Sequence, residues 1–325
     1  ASVGMSERLG LAEDDRFAFV FPITHIAGGV YIHAALAYGL TFVLDAVFDP
    51  ERTIDLLRRE QITQGGAGTF FHQTYLAAQR KLPPGEKLFP RIRTFPGGGA
   101  PKPPSLHHEM KEAFGVGIVS GYGLTEAPIL TMNHRDAPDE VLAATEGPAV
   151  AGTTLRIVTP DGKVAGVGEE GEVRAKGPQV TLGYVDSSLD AEAFDEEGWF
   201  RTGDLGTLDA DGNLTITGRL KDVIIRKGEN ISAKEVEDLL FTHPKVGDVA
   251  VVGLPDPETG ERACAVVVPA PGAEPLTFDE MREHLLGAGL ITRKLPEQLE
   301  IVDALPRNAS GKVVKFELQR RFGGG

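Results

Sequence analysis

The sequence has 325 residues, with 33 lysines and arginines against 47 aspartates and glutamates, which gives a formal net charge of −14. This acidic balance argues against nucleic acid or an anionic membrane as the main partner, because both are themselves negatively charged. Apolar residues make up 41% and charged residues 25%, as in soluble globular proteins. The sequence contains no apolar run of about 18 residues, so no transmembrane segment is predicted.

Cys264 is the only cysteine, so no disulfide can form within this sequence. It stands in an apolar run, which favours a buried residue over a nucleophile. A sequence without disulfides is typical of the reducing cytosol, and a cytoplasmic location is therefore expected.

The first part of the sequence, residues 1–145, alternates strand-like and helix-like segments. Strands separated by helices predict βαβ units and a mostly parallel sheet covered by helices on both faces. Ligands of such sheets bind at the carboxyl ends of the strands, where residues 96–101 and 121–126 are expected to form loops. Helices are predicted at 25–38, 50–60, 70–81 and 103–114, and strands at 17–23, 41–48, 91–95 and 116–120.

The pattern changes at residue 146, where short strands are separated by Asp-Gly turns. Strands at 154–158, 171–175 and 213–217 predict a small antiparallel β-barrel or sandwich over residues 146–218. Residues 219–325 mix strands with helices that begin after the capping residues Ser232 and Thr277, which predicts a compact α+β domain. The expected fold class is therefore α/β, with a large domain containing a mostly parallel sheet, a small β-barrel subdomain and an α+β C-terminal domain.

The segment GYGLTE at residues 121–126 combines three groups suited to a nucleotide. Tyr122 offers a ring on which a base can stack, Thr125 a hydroxyl for a phosphate, and Glu126 a hard oxygen ligand for Mg²⁺. A helix entry with Thr125 as its cap is the structural alternative. Glycines 97–99 allow the backbone to approach a ring or a phosphate closely, although a tight turn needs the same residues.

Asp204 ends the segment WFRTGD and is a candidate acceptor for both hydroxyls of a ribose. A turn aspartate beside Gly203 is the alternative. Arg219 is a candidate for the same ribose or for the α-phosphate, or else a surface ion pair with Asp222. Ile216 can pack under the sugar or belong to the core.

Lys312 lies in the segment PRNASGKV, ahead of a helix-like stretch at 313–322. A compact ammonium on a flexible stem suits a transferring phosphate or a carboxylate oxygen, and a solvated surface lysine is the alternative. His25 stands at the start of an apolar helix-like segment, where a capping or core role is the alternative to a site role.

Taken together, in their order and spacing, these motifs resemble the adenylate-forming superfamily of acyl-CoA synthetases, luciferases and peptide-synthetase adenylation domains. The pattern is most similar to the acyl-CoA synthetases of the AMP-dependent synthetase and ligase family. The resemblance implies that a carboxylic acid attacks ATP to give acyl-AMP and pyrophosphate. It further implies that the thiol of CoA then attacks the adenylate and releases AMP, with Mg²⁺ as the metal.

The resemblance also assigns roles to individual residues. It implies that Lys312, Glu126 and His25 are catalytic and that Glu126 holds Mg²⁺. It places Lys221 at the pivot about which the C-terminal domain swings between the two half-reactions. The implied nucleotide-binding residues are Gly98, Gly99, Ala100, Pro101, Gly121, Tyr122, Gly123, Thr125, Asp204, Ile216, Arg219 and Lys312. The implied acyl pocket comprises His25, Ile26, Phe71 and Gly98, and the CoA tunnel comprises Lys227 and Gly228.

One element of the family pattern is not found. Family members carry, before the histidine motif, a hydroxyl-rich loop ending in lysine that holds the β- and γ-phosphates. The sequence is therefore expected to be N-terminally truncated and to adenylate poorly by itself.

Phe70, Phe71, Ile23 and Ile26 favour a hydrophobic fatty, alicyclic or aromatic acid. Two alternative functions stay open: an adenylation domain that passes the acyl group to a carrier protein, and a non-catalytic fragment that only binds nucleotide. A homodimer is compatible with the sequence.

Overall fold

The computed structural model describes residues 1–66, 68–99, 102–227 and 229–323. The chain divides into two compact units. Unit 1 comprises Ala1–Thr202, Gly206–Ile216 and Ala309–Gly311, and unit 2 comprises Gly203–Leu205, Thr217–Asn308 and Lys312–Gly325. Within the described ranges, every helix is too short or too polar to cross a membrane.

Unit 1 opens with alternating helices and strands. In chain order they are α1 (Ser2–Leu9), β1 (Arg16–Phe19), α2 (Ile26–Tyr38), β2 (Thr41–Leu44), α3 (Pro50–Arg59), α4 (Thr69–Gln79), β3 (Phe95–Gly97), α5 (Pro104–Phe114) and β4 (Ile118–Leu124). The four helices predicted for this part are confirmed, to within two residues at each end.

Parallel pairing dominates this part of unit 1. Strand β1 pairs in parallel with β2, and β3 pairs in parallel with β4. Single parallel bridges join Phe17 to Gln64 and Gln64 to Thr94, so the backbone at Gln64 links the two sheets. The prediction of a mostly parallel sheet among these strands is thereby confirmed.

Local sequence explains where helix α3 begins. The side chain of Asp49 accepts a hydrogen bond from the backbone N–H of Arg52, and Pro50 occupies the first turn, where its missing N–H costs nothing. Thr53 and Leu57 then face the interior. The core beneath is aromatic, and the rings of Phe17 and Tyr31 stack with their centroids 3.9 Å apart.

The remaining elements are mainly β. They are β5 (Ala127–Met132), α6 (Asp139–Ala144), β6 (Thr154–Val158), β7 (Gly171–Lys176), α7 (Asp190–Ala193), β8 (Phe200–Leu208) and β9 (Leu214–Arg219). Strands β5 and β8 were not predicted.

The predicted β-barrel is wrong for the described strands. Strands β6 to β9 form a four-stranded sheet in the order β6-β7-β8-β9. Closure of a barrel requires the two outer strands to pair with each other, and in this order β6 and β9 stand at opposite edges. The subdomain is therefore an open sheet.

Unit 2 is a sheet with helices on it, as predicted for an α+β fold. Its elements are β10 (Val223–Arg226), β11 (Glu229–Ser232), α8 (Ala233–Leu240), β12 (Val246–Asp256), β13 (Gly260–Pro269), α9 (Phe278–Gly287), β14 (Gln298–Ile301) and α10 (Lys315–Phe322). The strand order is β11-β10-β13-β12, and β14 pairs in parallel with β13.

The central strands of unit 2 are buried on both faces, because alternate residues enter two different cores. Val249 and Val251 of β12 pack in the core that includes α8 and α9. Ala250 and Val252 pack in the second core, with Leu318 of α10. Cys264 lies in this second core, and burial raises the pKa of its thiol to about 12, as expected for a packing residue.

Candidate active site

The GYGLTE segment is a β-hairpin. Gly121 and Tyr122 lie in β4, and Thr125 and Glu126 form the turn to β5, which pairs antiparallel with β4. The prediction that residues 121–126 form a loop after the strand is therefore wrong, and so is the alternative that they begin a helix. Gly123 fits the irregular register here, since a Cβ at this position would lie 2.4 Å from the backbone N of Ile129.

Tyr184 holds the carboxylate of the turn. Its hydroxyl donates to Oε1 of Glu126 at 3.0 Å, and the N–H of Thr181 donates to the backbone oxygen of Glu126 at 2.7 Å. Burial, together with the negative charge of Glu126, raises the pKa of the Tyr184 phenol. The role of Tyr184 was not predicted from the sequence.

Three of the predicted polar residues interact within unit 2. Asp204 lies in strand β8 with its side chain only 5% exposed, and Nε of Arg219 lies 2.8 Å from its Oδ1. Two alternative interpretations are therefore wrong: Asp204 is not a turn residue, and Arg219 pairs with Asp204 rather than with Asp222. Burial lowers the pKa of Lys312, and the charge of Arg219 lowers it further while Asp204 opposes the shift.

The loop before Lys312 is closed by two hydrogen bonds between Asn308 and Lys312. The N–H of Lys312 donates to Oδ1 of Asn308 at 3.0 Å, and the N–H of Asn308 donates to the carbonyl oxygen of Lys312 at 2.9 Å. Gly311 adopts a left-handed φ of 81°, which favours glycine.

His25 caps helix α2. Its Nδ1 accepts from the N–H of Ala27 at 3.3 Å, and its ring lies edge-on to Phe21 at 6.1 Å between centroids. Ile26 is the first residue of the helix. Phe71 is 3% exposed and packs against Phe48 at 4.9 Å between ring centroids, so it lies within the core.

A small pocket lies in unit 1, and the volume inside it that a water molecule can reach is about 20 Å³. Its lining residues are Thr69, His72, Gly97, Gly98, Lys102, Ile118, Ser120, Gly121 and Glu146. Gly98 and Gly121 were predicted as site residues. His72, Lys102 and Glu146 were missed, because none of them stands in a motif and they are far apart along the chain.

The other predicted residues lie as follows. Gly99 has a left-handed φ of 74°. Ile216 lies in strand β9, and its backbone N–H donates to Oε2 of Glu146 at 3.0 Å. Lys221 lies in the short 3₁₀ turn that follows β9, and Lys227 follows β10 with a φ of 51°. Ala100, Pro101 and Gly228 lie outside the described residues.

Comparison with known proteins identifies relatives of both parts of the chain. Residues 1–185 match the family described as AMP-binding enzyme, and residues 235–312 match the AMP-binding enzyme C-terminal domain. The medium-chain fatty-acid–CoA ligase of Escherichia coli is 36% identical over 96% of this chain and 55% of its own length. The chain thus spans little more than half of that relative.

Two further matches are informative. The salicyl-AMP ligase / salicyl-S-ArCP synthetase of Mycobacterium tuberculosis is 39% identical over 71% of this chain and 41% of its own length. The crystal structure of ATP-bound MatB from Rhodopseudomonas palustris superposes with a TM-score of 0.89 at 31% identity. That match covers 99% of this chain and 63% of MatB.

Proposed function

This chain belongs to the AMP-binding enzyme family, and from that membership we propose that it takes part in the ATP-dependent activation of a carboxylic acid. A carboxylate oxygen attacks the α-phosphorus of ATP, the bond to the bridging oxygen breaks, and acyl-AMP and pyrophosphate form. The sulfur of CoA then attacks the acyl carbon, and AMP leaves with the oxygen that joined it to the acyl group. The cluster of Asp204, Arg219 and Lys312 carries this proposal.

The chemistry of that cluster suits a nucleotide. Asp204 is an ionised acceptor for the two hydroxyls of a ribose, and its partner Arg219 is half-exposed and offers donors to the ribose or the α-phosphate. Lys312 supplies a positive charge where negative charge moves from the carboxylate to the phosphates during attack. Because Lys312 is partly buried, its ammonium acts with less screening by water than a surface lysine would.

The hairpin in unit 1 supplies a second set of groups. Tyr122 is proposed to stack on the base, and the exposed Thr125 to donate its hydroxyl to a phosphate oxygen. Gly98, Gly99, Gly121 and Gly123 are proposed to let the backbone approach the nucleotide closely. Ala100, Pro101 and Ile216 keep their proposed nucleotide-binding roles.

The donor set around Glu126 fits Mg²⁺. Tyr184 donates to Oε1, and a magnesium ion typically takes one or two carboxylates and completes its shell with phosphate oxygens and water. No group of three His, Cys, Asp or Glu side chains that could hold a metal ion occurs among the described residues. Glu126 would hold Mg²⁺, which supplies charge neutralisation of the phosphates.

The acyl and CoA sites are proposed from the motifs that resemble those of the family. His25, Ile26 and Gly98 are proposed to border the acid, whereas the burial of Phe71 against Phe48 makes its contribution indirect. Lys227 and Gly228 are proposed to line the path of CoA, and Lys221 to act as the pivot of a domain motion.

A second candidate acceptor is a carrier protein. The name of the Mycobacterium tuberculosis relative describes a synthetase that loads an aryl carrier protein, whereas the Escherichia coli relative is named as a CoA ligase. Thioester formation on CoA and on a phosphopantetheinylated carrier, each followed by mass spectrometry, separates the two.

The test of activation is exchange of labelled pyrophosphate into ATP in the presence of a panel of carboxylic acids. Exchange that depends on both an acid and Mg²⁺ is the expected result. Binding of a non-hydrolysable acyl-adenylate mimic, measured by calorimetry, without any exchange would instead support a chain that binds nucleotide but does not catalyse.

A further inference from the structure

Lys312 stands in a short hairpin stem of unit 2, which pairs residues 306–308 with residues 312–314 and is called the lysine hairpin. Arg307 and Val313 form an antiparallel bridge in the middle of this stem, and backbone hydrogen bonds flank the bridge on both sides. These bonds fix the shape of the hairpin. They do not fix its place on the domain, because they join the hairpin only to itself.

The two sides of the lysine hairpin face different surroundings. Residues opposite each other in an antiparallel pair project to the same side of the ribbon, whereas their neighbours along the chain project to the other side. Val313 packs against the second core of unit 2, which includes Val252 of strand β12. Arg307 lies on the same side as Val313, and Lys312 therefore projects to the opposite side, away from this core.

An ion pair anchors the first strand of the hairpin to the sheet. Nη2 of Arg307 donates to Oδ2 of Asp248, near the start of β12 and 59 residues away in sequence. Each side chain is only 20% exposed, so water screens this pair less than it screens an ordinary surface pair. The register of β12 shifts just before Asp248, and irregularities of this kind redirect side chains.

The second strand of the hairpin is anchored through helix α10. Lys315, the first residue of this helix, pairs with Glu237 of α8 at 2.7 Å, and Leu318 of the same helix enters the second core. The two strands are thus held by different partners. Loss of the Arg307 anchor would free the first strand and leave the second in place, so the hairpin could pivot about the start of α10.

Position matters more for Lys312 than for an ordinary surface lysine. The hairpin turn contains Ser310 and Gly311, and the backbone freedom of glycine means that the turn does not confine the lysine by itself. A catalytic group misplaced by about 1 Å can lose on the order of 100-fold in rate. An ion pair that only stabilises the fold is the alternative, and it would affect both half-reactions equally.

We propose that Asp248 and Arg307 are positioning residues, whose ion pair holds the lysine hairpin on β12 and so keeps the ammonium of Lys312 in place. That place is close to Asp204 and Arg219, whose charges act on the lysine. The inference rests on the proposed function, because it takes Lys312 to assist the adenylation step. Neither positioning residue is assigned a contact with substrate, and both act through Lys312.

The variants remove the anchor, conserve it or rebuild it. Arg307→Met removes the charge and keeps most of the apolar stem, whereas Arg307→Lys conserves the charge. The reciprocal exchange of Asp248→Arg with Arg307→Asp rebuilds an ion pair with its ends exchanged. Lys294→Met is the matched control, because Lys294 is 28% exposed and pairs at 2.6 Å with Glu235, which joins α8 to a 3₁₀ turn instead of the hairpin.

Two measurements separate positioning from stability. Pyrophosphate exchange and thioester formation from preformed acyl-AMP are compared at a temperature at which circular dichroism shows every variant to be folded. A misplaced lysine lowers the ratio of the first rate to the second, whereas partial unfolding lowers both rates alike. The NMR titration of Lys312 reports the surroundings of its ammonium and requires no turnover.

We expect Arg307→Met to lower this ratio about tenfold. It should also raise the Lys312 pKa towards its ordinary value, because the burial that lowers this pKa is lost when the hairpin pivots. Arg307→Lys and the reciprocal exchange should retain most of the ratio, and Lys294→Met should leave both the ratio and the pKa unchanged.

An unchanged Lys312 pKa in Arg307→Met, or an equal change in Lys294→Met, would overturn the inference whatever the rates. A ratio that stays constant in Arg307→Met would overturn it as well. Absence of pyrophosphate exchange in the unaltered chain would instead contradict the proposed activity, and the Lys312 pKa alone would then decide whether the ion pair positions the lysine.

Discussion

Nε of Arg219 lies 2.8 Å from Oδ1 of Asp204, and this pair is close enough to Lys312 for both charges to affect the pKa of the lysine. The Asp204 carboxylate is buried, whereas the Arg219 guanidinium is half-exposed. Part of the guanidinium is therefore accessible to a ligand. The electrostatic balance of the pair can be altered one residue at a time.

The first prediction concerns that balance. Asp204→Asn removes the negative charge that raises the Lys312 pKa, so this pKa should fall further, whereas Arg219→Gln should raise it. The ¹⁵N or ¹³C NMR titration of Lys312 measures both shifts. Asp222→Asn, in the neighbouring 3₁₀ turn, is the control and should have little effect. A Lys312 pKa that ignores both substitutions would contradict the proximity of the three groups.

The second prediction separates the two half-reactions. Lys312→Ala should reduce pyrophosphate exchange by about 100-fold or more, because it removes charge stabilisation in the first step. Thioester formation from preformed acyl-AMP should fall far less. Lys227→Ala should show the opposite pattern if it lines the CoA path. Equal loss of both steps in Lys312→Ala would count against its role.

The third prediction concerns the carboxylate at the hairpin turn. Tyr184→Phe removes the 3.0 Å bond to Glu126 and leaves that side chain less well oriented. The Mg²⁺ concentration for half-maximal exchange should rise roughly tenfold, as is typical when a metal ligand loses its hydrogen-bond partner. Tyr38→Phe serves as the control. An unchanged Mg²⁺ dependence would show that the tyrosine does not orient a metal ligand.

The fourth prediction is a pH dependence of stability. Burial lowers the pKa of His72 from its ordinary 6.5 to about 4 in the folded chain. Between these values the unfolded chain binds a proton that the folded chain does not, so stability is complete above about pH 6.5 and falls as the pH drops towards 4. The loss attributable to this one group is about 3 kcal/mol.

Urea unfolding between pH 7 and pH 4 measures this dependence. His72→Gln should flatten it, because the substituted side chain does not titrate. His33→Gln, which alters an exposed histidine, should retain it. A full acid-induced loss in His72→Gln would assign the effect to other groups.

The fifth prediction concerns an ion pair in unit 2 between a buried carboxylate and a partly buried lysine. Nζ of Lys315 lies 2.7 Å from Oε1 of Glu237, which also accepts from the N–H of Val251 at 2.8 Å. Lys315→Met should destabilise the chain by about 3 kcal/mol, because it leaves a buried carboxylate uncompensated. Adding Glu237→Gln should recover most of that loss in thermal unfolding. Failure of the second substitution to compensate would show that the pair is not coupled.

Several elements could be predicted because their determinants are local. Asp49 and Pro50 stand next to each other at the start of α3, and Thr277 and Glu280 form the capping box of α9 three residues apart. Each motif acts on a backbone within one turn of itself, so the sequence contains the whole interaction. The motifs that carry the family resemblance are likewise contiguous.

The other features depend on chain segments that are distant in sequence. The bond between Glu126 and Tyr184 spans 58 residues, and the pocket joins His72 on α4 to Glu146 beyond α6. The open sheet in place of a barrel has the same origin, since hydrophobic alternation identifies strands but not which edges pair.

By itself, the sequence determined the family, the kinds of helix and strand, and the chemical types of the candidate residues, because these reside in short segments. Tertiary structure alone decided that Arg219 pairs with Asp204 rather than Asp222, and that Arg307 pairs with Asp248 on strand β12. Those outcomes depend on burial and on contacts between remote segments, which set the charge and the hydrogen-bonding capacity of each group.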